Sequence, residues 1–179
     1  DASGWEMVSD NGKVKMYHKE ISVSPLSAFK AVLTTTANPG ALIQTAWMVD
    51  KSPQIFPDAF IEDAGIYWNY SDVRYTAFQI IDIPMLAPRL YQFDSHLMGH
   101  TIHWVKTDTL AEISEDDDLI IPRINFGSWE VIRGEDKNTV IYRVCTDPSG
   151  SVPTWIVEQA NRRYFPQMML DLEKHALKR

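Results

Sequence analysis

Three histidines, one cysteine and two arginines are the side chains whose type and spacing first raise a question of chemistry. His96, His100 and His103 are spaced as metal ligands on one face of a helix would be. The residues around Gly99 alternate like strand, however, which sets His103 on the face opposite the other two, and no acidic partner stands in helical register. No metal site is expected. Glu115-Asp116-Asp117-Asp118 lacks the alternating ligands and distal glutamate of a calcium loop, so it reads as a solvated charge run. Cys145 lies in a β-branched stretch and reads as a small buried apolar residue rather than a nucleophile. Neither a glycine-rich phosphate cradle nor a nucleophile elbow occurs.

What remains is strand parity. Residues two apart share a face, so Arg74, Thr76, Phe78 and Ile80 point together, as do Tyr91, Phe93, Ser95 and Leu97. If both sets point inward, an apolar wall carries one cation. An unpaired buried cation is costly, so Arg74 would need a buried acid or a polar ligand head group. Its alternative is a solvated arginine beside a turn. Arg143, on the face of its strand that carries Cys145, presents the same choice.

An element must close over such a wall, and the C-terminal stretch supplies one. Asp147-Pro148-Ser149-Gly150 forms a turn, with Gly150 taking the positive φ that other residues resist. Ser151 can cap the helix that follows, and Pro153 suits its first turn. Val157, Ala160, Tyr164, Met168 and Leu172 then share one helical face, with Phe165 and Met169 on its flank, while Arg162, Arg163, Glu173 and Lys174 occupy solvated faces. Pro166 should bend the helix. So broad and soft a stripe needs a concave partner.

The preceding chain offers strands. Two short ones flank a turn at Asp10-Asn11-Gly12, and another covers residues 27–37. Asn38 caps a helix running through Val49, which Pro53 and Pro57 end. Strands follow at 66–70, 73–82, 90–98, 101–107, 126–133 and 139–146. Their connections are too short for parallel crossovers, so the plan is α+β with a mostly antiparallel sheet. Residues 1–179 form one domain. The net charge of −7 argues against nucleic acid and against electrostatic docking on anionic lipid. Six Trp suit a core that surrounds something. No apolar run is long enough for a membrane-spanning helix.

Several motifs resemble one family. Trp5 with Gly12-Lys13-Val14, Phe29-Lys30-Ala31-Val32, the Gly127-Ser128-Trp129 strand, and Asp147-Pro148-Ser149-Gly150 with Pro153 and Trp155 resemble a START domain. This is the steroidogenic-acute-regulatory-related lipid transfer family, and the resemblance is closest to its bacterial members. It spans nearly the whole chain. The sequence departs where Leu90 follows Arg89 instead of the family's frequent Asp, where Ser149-Gly150 replaces a Gly-Gly pair, and where Glu158 replaces Asn. The resemblance implies a helix-grip fold, a curved antiparallel sheet wrapped around a long C-terminal α-helix. A tunnel of roughly 300–1,000 Å³ would lie between them, where a close-packed core is the alternative.

Combined with parity, this gives an expected lining of Arg74, Thr76, Phe78, Tyr91, Phe93 and Ser95 from the sheet and Tyr164, Met168 and Leu172 from the helix. Ile83 to Pro88, with Met85 and Leu86 at its tip, would be the lid, able to touch a membrane briefly. The expected function is non-enzymatic binding or transfer of a lipid, sterol or fatty-acid-like ligand, with no cofactor. The alternative is a helix-grip enzyme of the aromatase, cyclase or hydrolase kind using Arg74, Tyr91 or Asp94. The start at Asp1 fits a removed signal peptide as well as a trimmed boundary. With the bacterial resemblance, that leads to an expected periplasmic or secreted location, and otherwise a cytoplasmic one.

Overall fold

The structure, a computed structural model, describes residues 3–24, 26–84, 86–107, 119–150 and 152–179. Ser151, Met85 and the acidic run at 115–118 lie outside them. Two strands open the chain, β1 (Glu6–Asp10) and β2 (Val14–Lys19), followed by β3 (Ala28–Thr35). Next come α1 (Pro39–Trp47), a 3₁₀ turn (Val49–Lys51) and α2 (Ser52–Ile55). Six strands follow: β4 (Ile61–Ser71), β5 (Arg74–Ile81), β6 (Arg89–Met98), β7 (Thr101–Lys106), β8 (Ile124–Ile132) and β9 (Asn138–Asp147). Helix α3 (Thr154–Ala176) completes the domain.

Local chemistry sets these boundaries. Asn11 accepts the Lys13 and Val14 amides through Oδ1 at 3.0 and 2.7 Å, which closes the first hairpin. Asn38 Oδ1 accepts the Ala41 amide at 3.1 Å and caps α1, with Pro39 in the first turn. Pro53 does not end the helical region as its sequence position suggested. It sits in the first turn of α2, where a missing N–H costs nothing. Before α3, Ser149 and Gly150 both adopt positive φ, 60° and 74°. Pro153 occupies the cap position of α3 instead of its first turn.

All nine strands form one sheet in the order β1-β2-β3-β9-β8-β7-β6-β5-β4, and every neighbouring pair is antiparallel. Strand β9 joins the three N-terminal strands to the other five. Register shifts near Asp63, Trp68 and Ser71 interrupt β4 along the edge, where bulges bend and twist a strand. The sheet curves round α3, giving the α+β helix-grip architecture.

The C-terminal half of α3 is sealed into the core. Met169 and Leu172 are 0% exposed and pack with Val14, Met16, Phe29 and Leu33 of the first three strands. Each such side chain contributes about 1.5–3 kcal/mol through burial. Glu173, expected on a solvated face, is mostly buried and meets Lys13 Nζ at 3.0 Å. An aromatic shelf continues from this core: Phe165 contacts Tyr142 edge-on at 5.2 Å, and Tyr142 lies 4.4 Å from Trp129. Trp104 stacks on Tyr142 at 5.7 Å, and its ring lies where any side chain at Gly127 would project. Glycine at 127 thus allows the shelf to form.

Candidate ligand cavity

Where the C-terminal half of α3 is sealed, its N-terminal half stands off the sheet. A cavity of about 190 Å³ opens there, smaller than the expected tunnel. Helix α3 contributes Ala160, Asn161, Tyr164 and Met168 to its wall. Strands β5 and β6 contribute Tyr75, Gln79, Tyr91, Phe93 and Ser95, and the aromatic shelf supplies Trp104, Trp129 and Tyr142. A third wall comes from the connection between α1 and β4, through Val49, Ser52, Phe56, Ala59 and Phe60. Phe60 meets Tyr164 edge-on at 4.8 Å, tying that wall to the helix. Sequence reasoning missed this wall, since Pro53 and Pro57 mark the segment as a connection. The two Phe between and beyond those prolines were the available signal.

Of the residues expected in the lining, Tyr91, Phe93, Ser95, Tyr164 and Met168 face the cavity. Arg74, Thr76 and Phe78 do not, because β5 has the opposite parity. Its register places Tyr75 opposite Ser95, Ala77 opposite Phe93 and Gln79 opposite Tyr91, and directly paired residues share a face. The inward set of β5 is therefore Tyr75, Ala77, Gln79 and Ile81. Arg74 is exposed on the outer face, its guanidinium 4.7 Å from the centre of the Tyr70 ring. Thr76 bonds the Tyr70 hydroxyl and Asp94 Oδ1 there, and Phe78 stacks on Tyr67 at 4.8 Å. Leu172 lies a turn too far along α3 and belongs to the closed core.

The other chemistry-bearing residues also sit away from the cavity. Arg143 lies on the outer face, where it pairs with Glu130 at 2.7 Å. His96 and His103 are cross-strand partners and share a face, contrary to the alternation argument, because the turn at Gly99 reverses the chain between them. His100 Nε2 lies 3.0 Å from Arg133 instead. Among the described residues, no three His, Cys, Asp or Glu come together as a metal site. Cys145 is buried, which pushes its thiol pKa up and away from nucleophilic use.

Several polar groups in the wall are already engaged. The Tyr75 hydroxyl donates to the Trp47 carbonyl at 3.2 Å, and Gln79 Nε2 donates to Ser52 Oγ at 2.8 Å. Ser52 Oγ in turn donates to the Val49 carbonyl at 2.7 Å. Trp104 Nε1 donates to Asn125 Oδ1 at 3.4 Å. Burial pushes the phenol pKa values of Tyr75, Tyr91 and Tyr142 upward, so all three stay neutral through the physiological range. No described residue of the lining carries a formal charge.

Solved structures share this arrangement. Human STARD10 superposes with a TM-score of 0.82 at 16% identity, over 99% of this chain and 75% of that one. A STAR-related lipid transfer protein from Xanthomonas axonopodis gives 0.80 at 18% identity, over 97% of this chain and 99% of that one. This is a START-like fold. The Zhui aromatase/cyclase from a Streptomyces species shares the scaffold more distantly, at 0.57 and 11% identity over 84% of this chain and 91% of that one. The human and Xanthomonas structures resemble the chain to nearly the same degree, so the likeness does not single out bacterial relatives. No protein-family profile matches the sequence, and no curated protein matches it by sequence.

Proposed function

We propose that this START-like chain binds one hydrophobic molecule in the cavity and carries it unchanged. The observation that carries this reading is the wall itself: concave and partly open, largely aromatic and aliphatic, and free of charge among its described residues. Such a site offers apolar burial but little acid or base. The fold's likeness to lipid transfer proteins supports the same reading. An enzymatic reading draws support from the aromatase/cyclase scaffold, but Arg74 and Asp94, two of the three candidates for such chemistry, lie on the outer face of the sheet. Only Tyr91 is left inside, and burial raises its pKa, so the phenol stays protonated and is not available as a base.

Access belongs to the same proposal. Ile83 lines the cavity from the segment after β5, and the Leu86 amide closes a turn onto the Ile83 carbonyl at 3.0 Å. Leu86 is half-buried. We assign residues 83–88, with Leu86 and Met85, as the cover that lifts for the ligand and touches a membrane surface as it does so. Organic extraction of the purified protein, with mass analysis of the extract, tests the carrier reading. An unmodified hydrophobic compound is expected. A compound converted on incubation with the protein, with conversion abolished by Tyr91→Phe, would establish the enzyme instead.

A further inference from the structure

The wall's polar atoms divide into two groups, and the division points to a ligand class. Near α1 and α2, the Tyr75, Gln79 and Ser52 polar groups bond protein partners, as described above. At the other end, Thr146 Oγ1 is buried without a hydrogen-bond partner. A buried hydroxyl left in that state costs about 1–3 kcal/mol, and in native proteins such a group is met by a bound water, ion or ligand, or serves a function. Thr146 is no isolated case. It pairs directly across the β8–β9 ladder with Asn125, whose Oδ1 is taken by Trp104, so its amide N–H₂ is the group left to offer. The Tyr91 hydroxyl acts on Thr146 as a polar partner but outside hydrogen-bond geometry, so a ligand group between the two would complete the bond, and Asn161 of α3 lines the same cavity. Together these side chains present neutral donors and acceptors to one end of an otherwise apolar space.

Charge and size narrow the occupant further. Described lining residues carry no formal charge. The buried Arg89, two residues from Tyr91 and near enough for its charge to act on that phenol, stands outside the lining with Nη1 on the Ala87 carbonyl. An ion in the cavity therefore meets no direct partner and is disfavoured. The volume of about 190 Å³ lies below the roughly 300–1,000 Å³ common for ligand sites. A two-tailed lipid has no room there. Resting on the carrier reading above, we infer that the cavity takes a compact, uncharged, one- or two-ring or short-chain molecule whose hydroxyl or carbonyl bonds Thr146 and Tyr91.

Three two-ring probes separate the elements of this inference: naphthalene, 2-naphthol and 2-naphthoate, titrated into the intact chain by calorimetry at pH 7.5. Binding of 2-naphthol is expected to be roughly fivefold tighter than that of naphthalene, the gain from one net hydrogen bond. Binding of 2-naphthoate should be at least roughly tenfold weaker than that of 2-naphthol. Thr146→Val should erase the preference for 2-naphthol over naphthalene, and Tyr91→Phe should reduce it should the valine variant fold poorly. Equal binding of 2-naphthol and naphthalene, or a preference that survives both variants, overturns the polar assignment. Naphthoate binding as tightly as naphthol overturns the exclusion of charge. If a two-tailed phospholipid from phosphatidylcholine vesicles binds and the probes do not, this inference fails and the carrier reading stands. If neither probes nor phospholipid bind and nothing co-purifies, both fail.

Discussion

Ser149 holds φ at 60°, a left-handed conformation that costs a side-chain-bearing residue roughly 1–2 kcal/mol. Its amide is held by Asp147 Oδ1 at 3.0 Å, which fixes the turn despite that cost. Replacing it with glycine removes the strain but adds freedom to the unfolded chain. Ser149→Gly is therefore expected to raise stability by about 0.5–1 kcal/mol, a shift of roughly 1–4 °C in thermal midpoint. A fall in the midpoint would mean that the serine side chain has a role the turn does not reveal. At this scale the sequence was partly legible. Turn and cap residues act over three or four positions, so Asn38 and Gly150 could be placed on local chemistry alone. Tyr75 and Gln79 could not, because their inward direction depends on pairing with β6. The connection between β5 and β6 runs through Pro84 and Pro88 and is too long to fix a register, whereas a tight hairpin would have fixed it.

Helix α3 is one element with two environments, and the apolar stripe in the sequence does not distinguish them. Met168 borders the cavity, while Leu172, one turn on, is closed into the core. The two positions should respond in opposite ways. Leu172→Ala should cost about 2–5 kcal/mol in chemical denaturation and leave ligand affinity intact. Met168→Trp should fill open space, with a smaller stability change and a large loss of binding. A Met168→Trp variant destabilised by roughly 1–3 kcal/mol with binding preserved would instead describe an overpacked core. The cover proposed for residues 83–88 is the other element with a testable role. Leu86→Asp should leave the thermal midpoint nearly unchanged and slow ligand exchange with vesicles in a stopped-flow assay. Exchange at the parent rate would move the gate elsewhere.

At the scale of the whole molecule, the order of strands and the closing helix follow from patterns that are local in sequence: alternation, turn residues and short connections. The cavity does not follow from them. Its walls come from α3, six strands and the α1–β4 connection, and its volume is what those distant side chains fail to fill. The outer face shows the consequence, since Arg74, Thr76 and Asp94 have the chemistry of a site but form an exposed cation–π contact and a hydrogen-bonded network over Tyr70. The central claim is that a hydrophobic molecule sits between α3 and the inner face of the sheet. Native mass spectrometry of the chain beside Met168→Trp and Arg74→Met tests that location most directly. A one-to-one adduct in the parent and in Arg74→Met, lost from Met168→Trp, is the predicted result. An adduct that persists in Met168→Trp, or disappears in Arg74→Met, would contradict it.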